Sequence, residues 1–212
     1  MNGPVLIFDF DGTIADTHHY IVGISNRLAR EFKYDEIDWN MVDSLRDKTA
    51  KEIIQYLKVP LLKIPAILSR GKKEFNKGIT EVKPIDGLSD VLRSLRSRGV
   101  VMGILSSNTA ENIRKFLQNH ALEVFAFIHS TSKVWSKNIS LERLISGRNL
   151  DRNSIHYIGD EARDITAARR SGVKSVAVSW GYNSARILRS HNPDFMVNLP
   201  GELLRFCEHI AT

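Results

Sequence analysis

The sequence predicts an α/β chain: a parallel sheet with helices on both faces, interrupted once by an all-helical insertion. Three observations carry this. Short apolar runs recur, each ending in a cluster of Asp, Ser or Gly. Amphipathic stripes separate them. From 16 to 83 such stripes follow one another with no strand between. Alternation of this kind implies βαβ units and a parallel sheet.

Val5-Leu6-Ile7-Phe8 is apolar throughout, as a strand buried on both faces requires. Beyond Thr13, Ile21, Ile24, Leu28 and Phe32 recur at helical spacing. Asp38 to Leu45 reads as a second helix. A third starts at Thr49, with Glu52 completing a capping box, buries Ile53, Ile54 and Leu57, and stops at Pro60. A fourth follows Pro65. After Pro84, Leu88, Val91, Leu92 and Leu95 form a stripe closed by Gly99. Val100 to Leu105 is a buried strand ending in Ser106-Ser107-Asn108, and a helix covers Thr109 to Asn119. Val124 to Ile128 is a weaker strand, and Ile139 to Ile145 a helix. Ile155 to Ile158 is a strand ending in Gly159-Asp160-Glu161, with a helix over Ile165 to Arg170. Ser175 to Val178 and Phe195 to Val197 are the last strands before a C-terminal helix. The expected division is a Rossmann-like core over 1–15 and 84–212, with a helical cap over 16–83.

The 212 residues are 42% hydrophobic and 25% charged, as in an ordinary globular protein. The net charge of +6 is spread along the chain without a basic run, which fits attraction of small anions better than a nucleic-acid arm. The single cysteine, Cys207, excludes an intrachain disulfide and reads as a small buried apolar residue. No stretch approaches the about 18 apolar residues of a membrane span, and no signal peptide is evident, so the expected location is cytoplasmic.

In open parallel sheets, ligands bind beyond the carboxyl ends of the strands. Here those ends deliver Asp9 and Asp11, then Ser106 and Ser107, then Asp160 with Asp164 one turn later. Carboxylates gathered at one edge repel one another. A divalent cation relieves this, and all-oxygen ligands favour magnesium over zinc.

Asp9-Phe10-Asp11-Gly12-Thr13, Ser106, Lys137 and Gly159-Asp160-Glu161-Ala162-Arg163-Asp164, in that order, resemble the four motifs of the haloacid dehalogenase superfamily, phosphatase branch. Trp180-Gly181-Tyr182 and Asn192-Pro193-Asp194-Phe195 resemble its phosphoglycolate-phosphatase-like members, with an alpha-helical cap. The resemblance implies a magnesium-dependent phosphomonoesterase acting on a small phosphorylated metabolite, 2-phosphoglycolate among them. It makes Asp9 the nucleophile and Asp11 the acid and base. The cation would lie on the Asp9 and Asp160 carboxylates and the Asp11 carbonyl. Ser106 and Lys137 would hold the phosphoryl oxygens, helped by backbone groups near Phe10, Ser107 and Asn108. Asp164 and Glu161 would orient the metal's surroundings or the lysine.

Some assignments stay open. Ser107 competes with Ser106, unless it caps the next helix. Lys133 competes with Lys137, which is followed by Asn138-Ile139 where the family often has proline. Arg46, Lys48 and His18 are candidate substrate contacts from the insertion, against a reading as solvated surface. A phosphomutase shares every motif, and a non-catalytic anion- or nucleic-acid-binding protein on this fold is the alternative from another class. The expected assembly is a monomer or homodimer, with no membrane or nucleic-acid partner.

Overall fold

The computed structural model describes residues 3–131 and 137–210. Six parallel strands form one sheet in the order β3-β2-β1-β4-β5-β6. They are β1 (Val5–Phe8), β2 (Val101–Ser106), β3 (Phe127–Ser130), β4 (Ile155–Gly159), β5 (Lys174–Val178) and β6 (Phe195–Val197). The first strand is central. Phe8 pairs with Ile104 on one side and Ile158 on the other. The chain builds outward in opposite directions from β1, so the switch point lies between β1 and β4, where a ligand crevice is expected.

Every β1 residue is buried, because successive side chains feed opposite layers. Leu6 and Phe8 join a core with Leu92, Leu95, Ile113, Phe116 and Leu203. These come from α5 (Leu88–Ser97), α6 (Ala110–Asn119) and α10 (Glu202–Ile210). Val5 and Ile7 join Leu141, Leu144, Tyr157 and Ala168 on the other face. That face is covered by α7 (Lys137–Arg148) and α8 (Ala162–Arg170); the short α9 (Ala185–Ser190) follows β5.

Between β1 and α5 lie the helices α1 (His18–Phe32), α2 (Val42–Leu45), α3 (Ala50–Tyr56) and α4 (Ile64–Lys77), with isolated bridges of Ala15 to Asp11 and Pro84 where the chain leaves and rejoins the sheet domain. They carry a cluster of their own, made of Val22, Ile37, Val42, Leu45 and Leu57. The buried Asn26 fixes it by exchanging two hydrogen bonds with the Ile37 backbone, at 2.9 and 2.7 Å. The capping box at Thr49 and Glu52 is present.

Several sequence expectations shift. Ile21 is 38% exposed, and the inner face of α1 is Val22, Ile24, Leu28 and Ala29. Leu57 is buried, whereas Ile53 and Ile54 are only half-buried. β3 starts at Phe127 rather than Val124, since the preceding residues form the turn that brings Ala126 onto the Met102 carbonyl. The helix expected from Ile139 begins at Lys137, so that lysine lies in its first turn rather than ahead of it. The helix after β2 is capped by Thr109, which accepts the Asn112 N–H at 3.2 Å; Ser107 is not its cap. Cys207 is buried, and burial pushes its thiol up to about 11, as an inert core residue requires.

Candidate active site

The carboxyl ends of β1, β2 and β4 converge. β1 runs straight into Asp9, whose N–H still bonds the Ile158 carbonyl at 2.8 Å and so holds the residue in the sheet's frame. The chain then turns sharply. Gly12 has φ +77°, and a side chain there would overlap the Asp160 carboxylate and the Tyr182 ring. This turn lets Asp11 stay half-buried at the mouth while Asp9 is only 2% exposed.

Lys137 reaches in from the first turn of α7. It is 3% exposed and pairs with Asp9 and with Asp164, the latter at 2.6 Å. Burial alone pulls an ammonium down; the Asp164 and Asp9 charges overcome it and hold Lys137 well above its ordinary value. Ligand atoms of Asp9, Asp160 and Asp164 all lie within 4.8 Å of one another, and all three residues are buried.

Asp160 is fixed on both sides. Thr13 Oγ1 donates to Oδ1 at 2.6 Å, and the Tyr182 N–H to Oδ2 at 2.7 Å. Burial, then the charges of Glu161, Asp9 and Asp164, raises its pKa well above the usual carboxylate range. Asp164 also accepts the Glu161 N–H at 3.1 Å, while the Glu161 carboxylate pairs with Arg163. Five carboxylates (Asp9, Asp11, Asp160, Glu161, Asp164) thus face two cations, Lys137 and Arg163. The surplus is negative, and the donors are hard oxygens. Such a set fits a divalent cation of the magnesium kind.

Asp11 accepts from Asn108 Nδ2 at 3.3 and 3.2 Å. Burial, helped by the Asp9 charge and opposed by Asn108, pushes its carboxyl up to about 7. Ser106 is fully buried at the end of β2, and its Oγ accepts the Asn108 N–H at 3.0 Å. The half-buried Ser107 sits between them. Phe10 is buried against Phe116, and its N–H donates to Asp9 Oδ1 at 2.7 Å. Lys133 lies outside the described residues.

Of the three candidates in the helical segment, Arg46 and His18 meet the site's outer wall. Arg46 Nη2 donates to the Ser179 carbonyl at 2.6 Å, and its buried Nε has no partner among the described residues. His18 packs edge-on to Tyr182 at 5.2 Å, and burial then Arg46 lowers its pKa. Lys48 is half-buried on the following turn.

Sequence reasoning did not single out Thr13, Tyr182 or Asn112 for what they do. Tyr182 binds Asp160 through its backbone and Thr17 through its hydroxyl, at 2.8 Å. Trp180 Nε1 donates to the Thr13 carbonyl at 3.1 Å. The Trp180-Gly181-Tyr182 run was the signal available, but contacts made by backbone atoms leave little trace in residue type.

The sequence model of the haloacid dehalogenase-like hydrolases matches residues 6–178. A phosphoglycolate phosphatase from Synechococcus elongatus is 34% identical over 201 residues, spanning 94% of this chain and 95% of its own. The pyrophosphatase PpaX of Bacillus cereus is 22% identical, over 94% of each chain. A haloacid dehalogenase-like family hydrolase from Streptococcus pneumoniae superposes with a TM-score of 0.83 over 96% of this chain and 98% of its own, at 19% identity, and so shares the fold. A family model that matches most of the chain, and a 34% identical relative that spans nearly all of it, establish this enzyme as a member of the haloacid dehalogenase-like hydrolase family.

Proposed function

We propose that the enzyme is a magnesium-dependent phosphatase of small phosphate monoesters, with 2-phosphoglycolate as the first substrate to test. The observation that carries this is the buried Asp9 carboxylate, paired with Lys137 and within ligand distance of Asp160 and Asp164. Sequence similarity to a phosphoglycolate phosphatase supports the substrate.

Asp9 and Asp160 would hold the cation, with the Asp11 carbonyl; when bound, it offsets the repulsion between an anionic nucleophile and a dianionic phosphate. Asp9 attacks phosphorus, the bond to the leaving oxygen breaks, and an aspartyl-phosphate forms. Asp11 gives its proton to the departing alkoxide. It then takes one from the water that attacks the same phosphorus, which releases phosphate and restores Asp9. A carboxyl pushed up to about 7 suits both tasks near neutrality. Lys137 and the Ser106 hydroxyl hold the equatorial oxygens as charge develops there. Asp164 fixes the lysine, to which it is bonded at 2.6 Å.

In this reading the helices of 16–83 act as a cap over the site. Arg46 docks its loop on Ser179 and is the cation this segment brings to the site's outer wall, where a guanidinium suits an anionic group such as the substrate carboxylate.

The test is phosphate release with and without Mg2+ from phosphoglycolate, sugar phosphates, nucleotides and, given the PpaX similarity, inorganic pyrophosphate. Wild type should release phosphate from at least one ester only when the cation is present, and Asp9→Asn should abolish it. Equal rates for the two proteins would overturn the proposal. Conversion of a sugar monophosphate without net phosphate release would point to a mutase instead.

A further inference from the structure

We infer that Asn112 is a positioning residue for Asp11, and that it ties this carboxylate to the helical segment through a run of three asparagine amides. The inference rests on the functional reading above, in which Asp11 is the acid and base.

Asn112 is 4% exposed in the first turn of α6, deep for an uncharged amide. Its NH2 group uses both hydrogens. One goes to Asn76 Oδ1 in α4 at 2.7 Å, the other to Asn108 Oδ1 at 2.9 Å. Asn108 Oδ1 also accepts the Thr109 N–H at 2.8 Å. With its oxygen held by two donors, the Asn108 amide has one orientation left, and its NH2 faces Asp11 at 3.2 and 3.3 Å. A flip would set an amide oxygen against the carboxylate and lose both donors. Asn112 thus decides which end of Asn108 Asp11 meets.

The same helix grips the chain just beyond α4. Asn119 Nδ2 bonds the Thr80 carbonyl at 3.1 Å, and the His120 ring bonds the Val82 carbonyl at 2.8 Å. A shift of α4 against α6 would therefore reach Asp11 through two amides. Asn112 reaches the reacting groups through Asn108 and Asp11; of the two proton transfers given to Asp11, only the one to the leaving oxygen depends on which ester is used.

Leaving-group dependence isolates that step. An alkyl oxygen needs the proton from Asp11; a 4-nitrophenolate leaves without one. We would compare kcat/KM for 2-phosphoglycolate and 4-nitrophenyl phosphate in wild type, Asp11→Asn, Asn112→Ala and Asn76→Ala, recording the melting temperature of each. Asn112→Ala should lose about tenfold on the alkyl ester and less than about twofold on the aryl ester, a fraction of the full contribution of a general acid. Asn76→Ala, at an exposed position, should move the ratio the same way by less. Equal losses on both esters, or none, in Asn112→Ala overturn the inference if Asp11→Asn itself discriminates between them. If Asp11→Asn does not discriminate, or wild type turns over no phosphate monoester, the functional reading fails first and this one with it; an alkyl ester that is turned over takes the place of 2-phosphoglycolate where that one is not.

Discussion

The backbone N–H of Tyr182 donates to Asp160 Oδ2 at 2.7 Å, so a loop after β5 holds an acid delivered by β4. Asp160 has no freedom to swing, since Thr13 holds its other oxygen at 2.6 Å. The loop approaches this closely because Gly181 precedes Tyr182: a methyl there would overlap the Asp160 carboxylate.

Gly181→Ala should therefore displace Asp160 and weaken cation binding by more than about tenfold, since removal of groups that orient metal ligands costs on the order of 10–100-fold in affinity. Calorimetric titration with Mg2+ measures it. Unchanged affinity would mean that the loop gives way and the hydrogen bond does no positioning.

Asp194 makes a different kind of tie, far along the chain from the four motifs. Its carboxylate accepts from Ser175 N at 2.9 Å, Ser175 Oγ at 2.8 Å and Lys174 Nζ at 3.0 Å, which anchors β6 to β5. Burial works to raise its pKa, but these donors outweigh it and hold it below the usual carboxylate value. A depressed folded-state pKa contributes stability that is present above the unfolded value of about 3.9 and is lost as pH falls through the folded one. Asp194→Asn should cost roughly 1 kcal/mol at pH 7, discounted because the carboxylate is partly solvated. The gap from wild type should close below about pH 4. Urea denaturation at pH 7 and pH 3 checks both halves.

The fold and the site were legible to different depths. The β1 strand and its Asp9-Phe10-Asp11 exit were plain, because a strand buried on both faces tolerates only apolar residues before its polar end. β3 was misplaced by three residues because Val124 and Phe125 are apolar for a different reason, packing under the sheet from a turn. α9 went unread: its six residues carry a single buried side chain, Leu188, too little for periodicity. At the site, residues that act by charge were visible in type and spacing. Those that act through backbone or amide bonds, such as Tyr182 and Asn112, were not, since any sequence supplies such groups and only the fold aims them.

Lys137 neutralises two buried acids at once, so its removal should be felt as stability as well as activity. Lys137→Met leaves Asp9 and Asp164 facing each other unpaired. Breaking a buried pair in this way costs about 3–5 kcal/mol. Unpaired buried carboxylates prefer their protonated form, so the deficit should be largest at pH 8 and shrink toward pH 5. Saturating Mg2+ should recover part of it, because a cation on Asp9 replaces some of the missing charge. Chemical denaturation at the two pH values, with and without Mg2+, gives four numbers; a deficit independent of both pH and Mg2+ would mean the loss is one of packing alone.

Asp11 offers the most direct test of the site's electrostatics. Burial and then the Asp9 charge push its carboxyl up to about 7, against the hydrogen bond from Asn108. In the metal-free protein, the assigned carbon-13 carboxyl resonance of Asp11 should titrate near there rather than near the free value of about 3.9. Asp9→Asn removes a neighbouring negative charge and should lower that value without restoring it fully, since burial persists. Mg2+ should act in the same direction. The folded protein binds this proton more tightly than the unfolded chain, so the group's contribution to stability weakens as pH rises from about 4 through 7, opposite to Asp194. An Asp11 resonance that titrates near 4 in both proteins would show that water solvates the site freely, and would remove the basis for Asp11 as an acid at neutral pH.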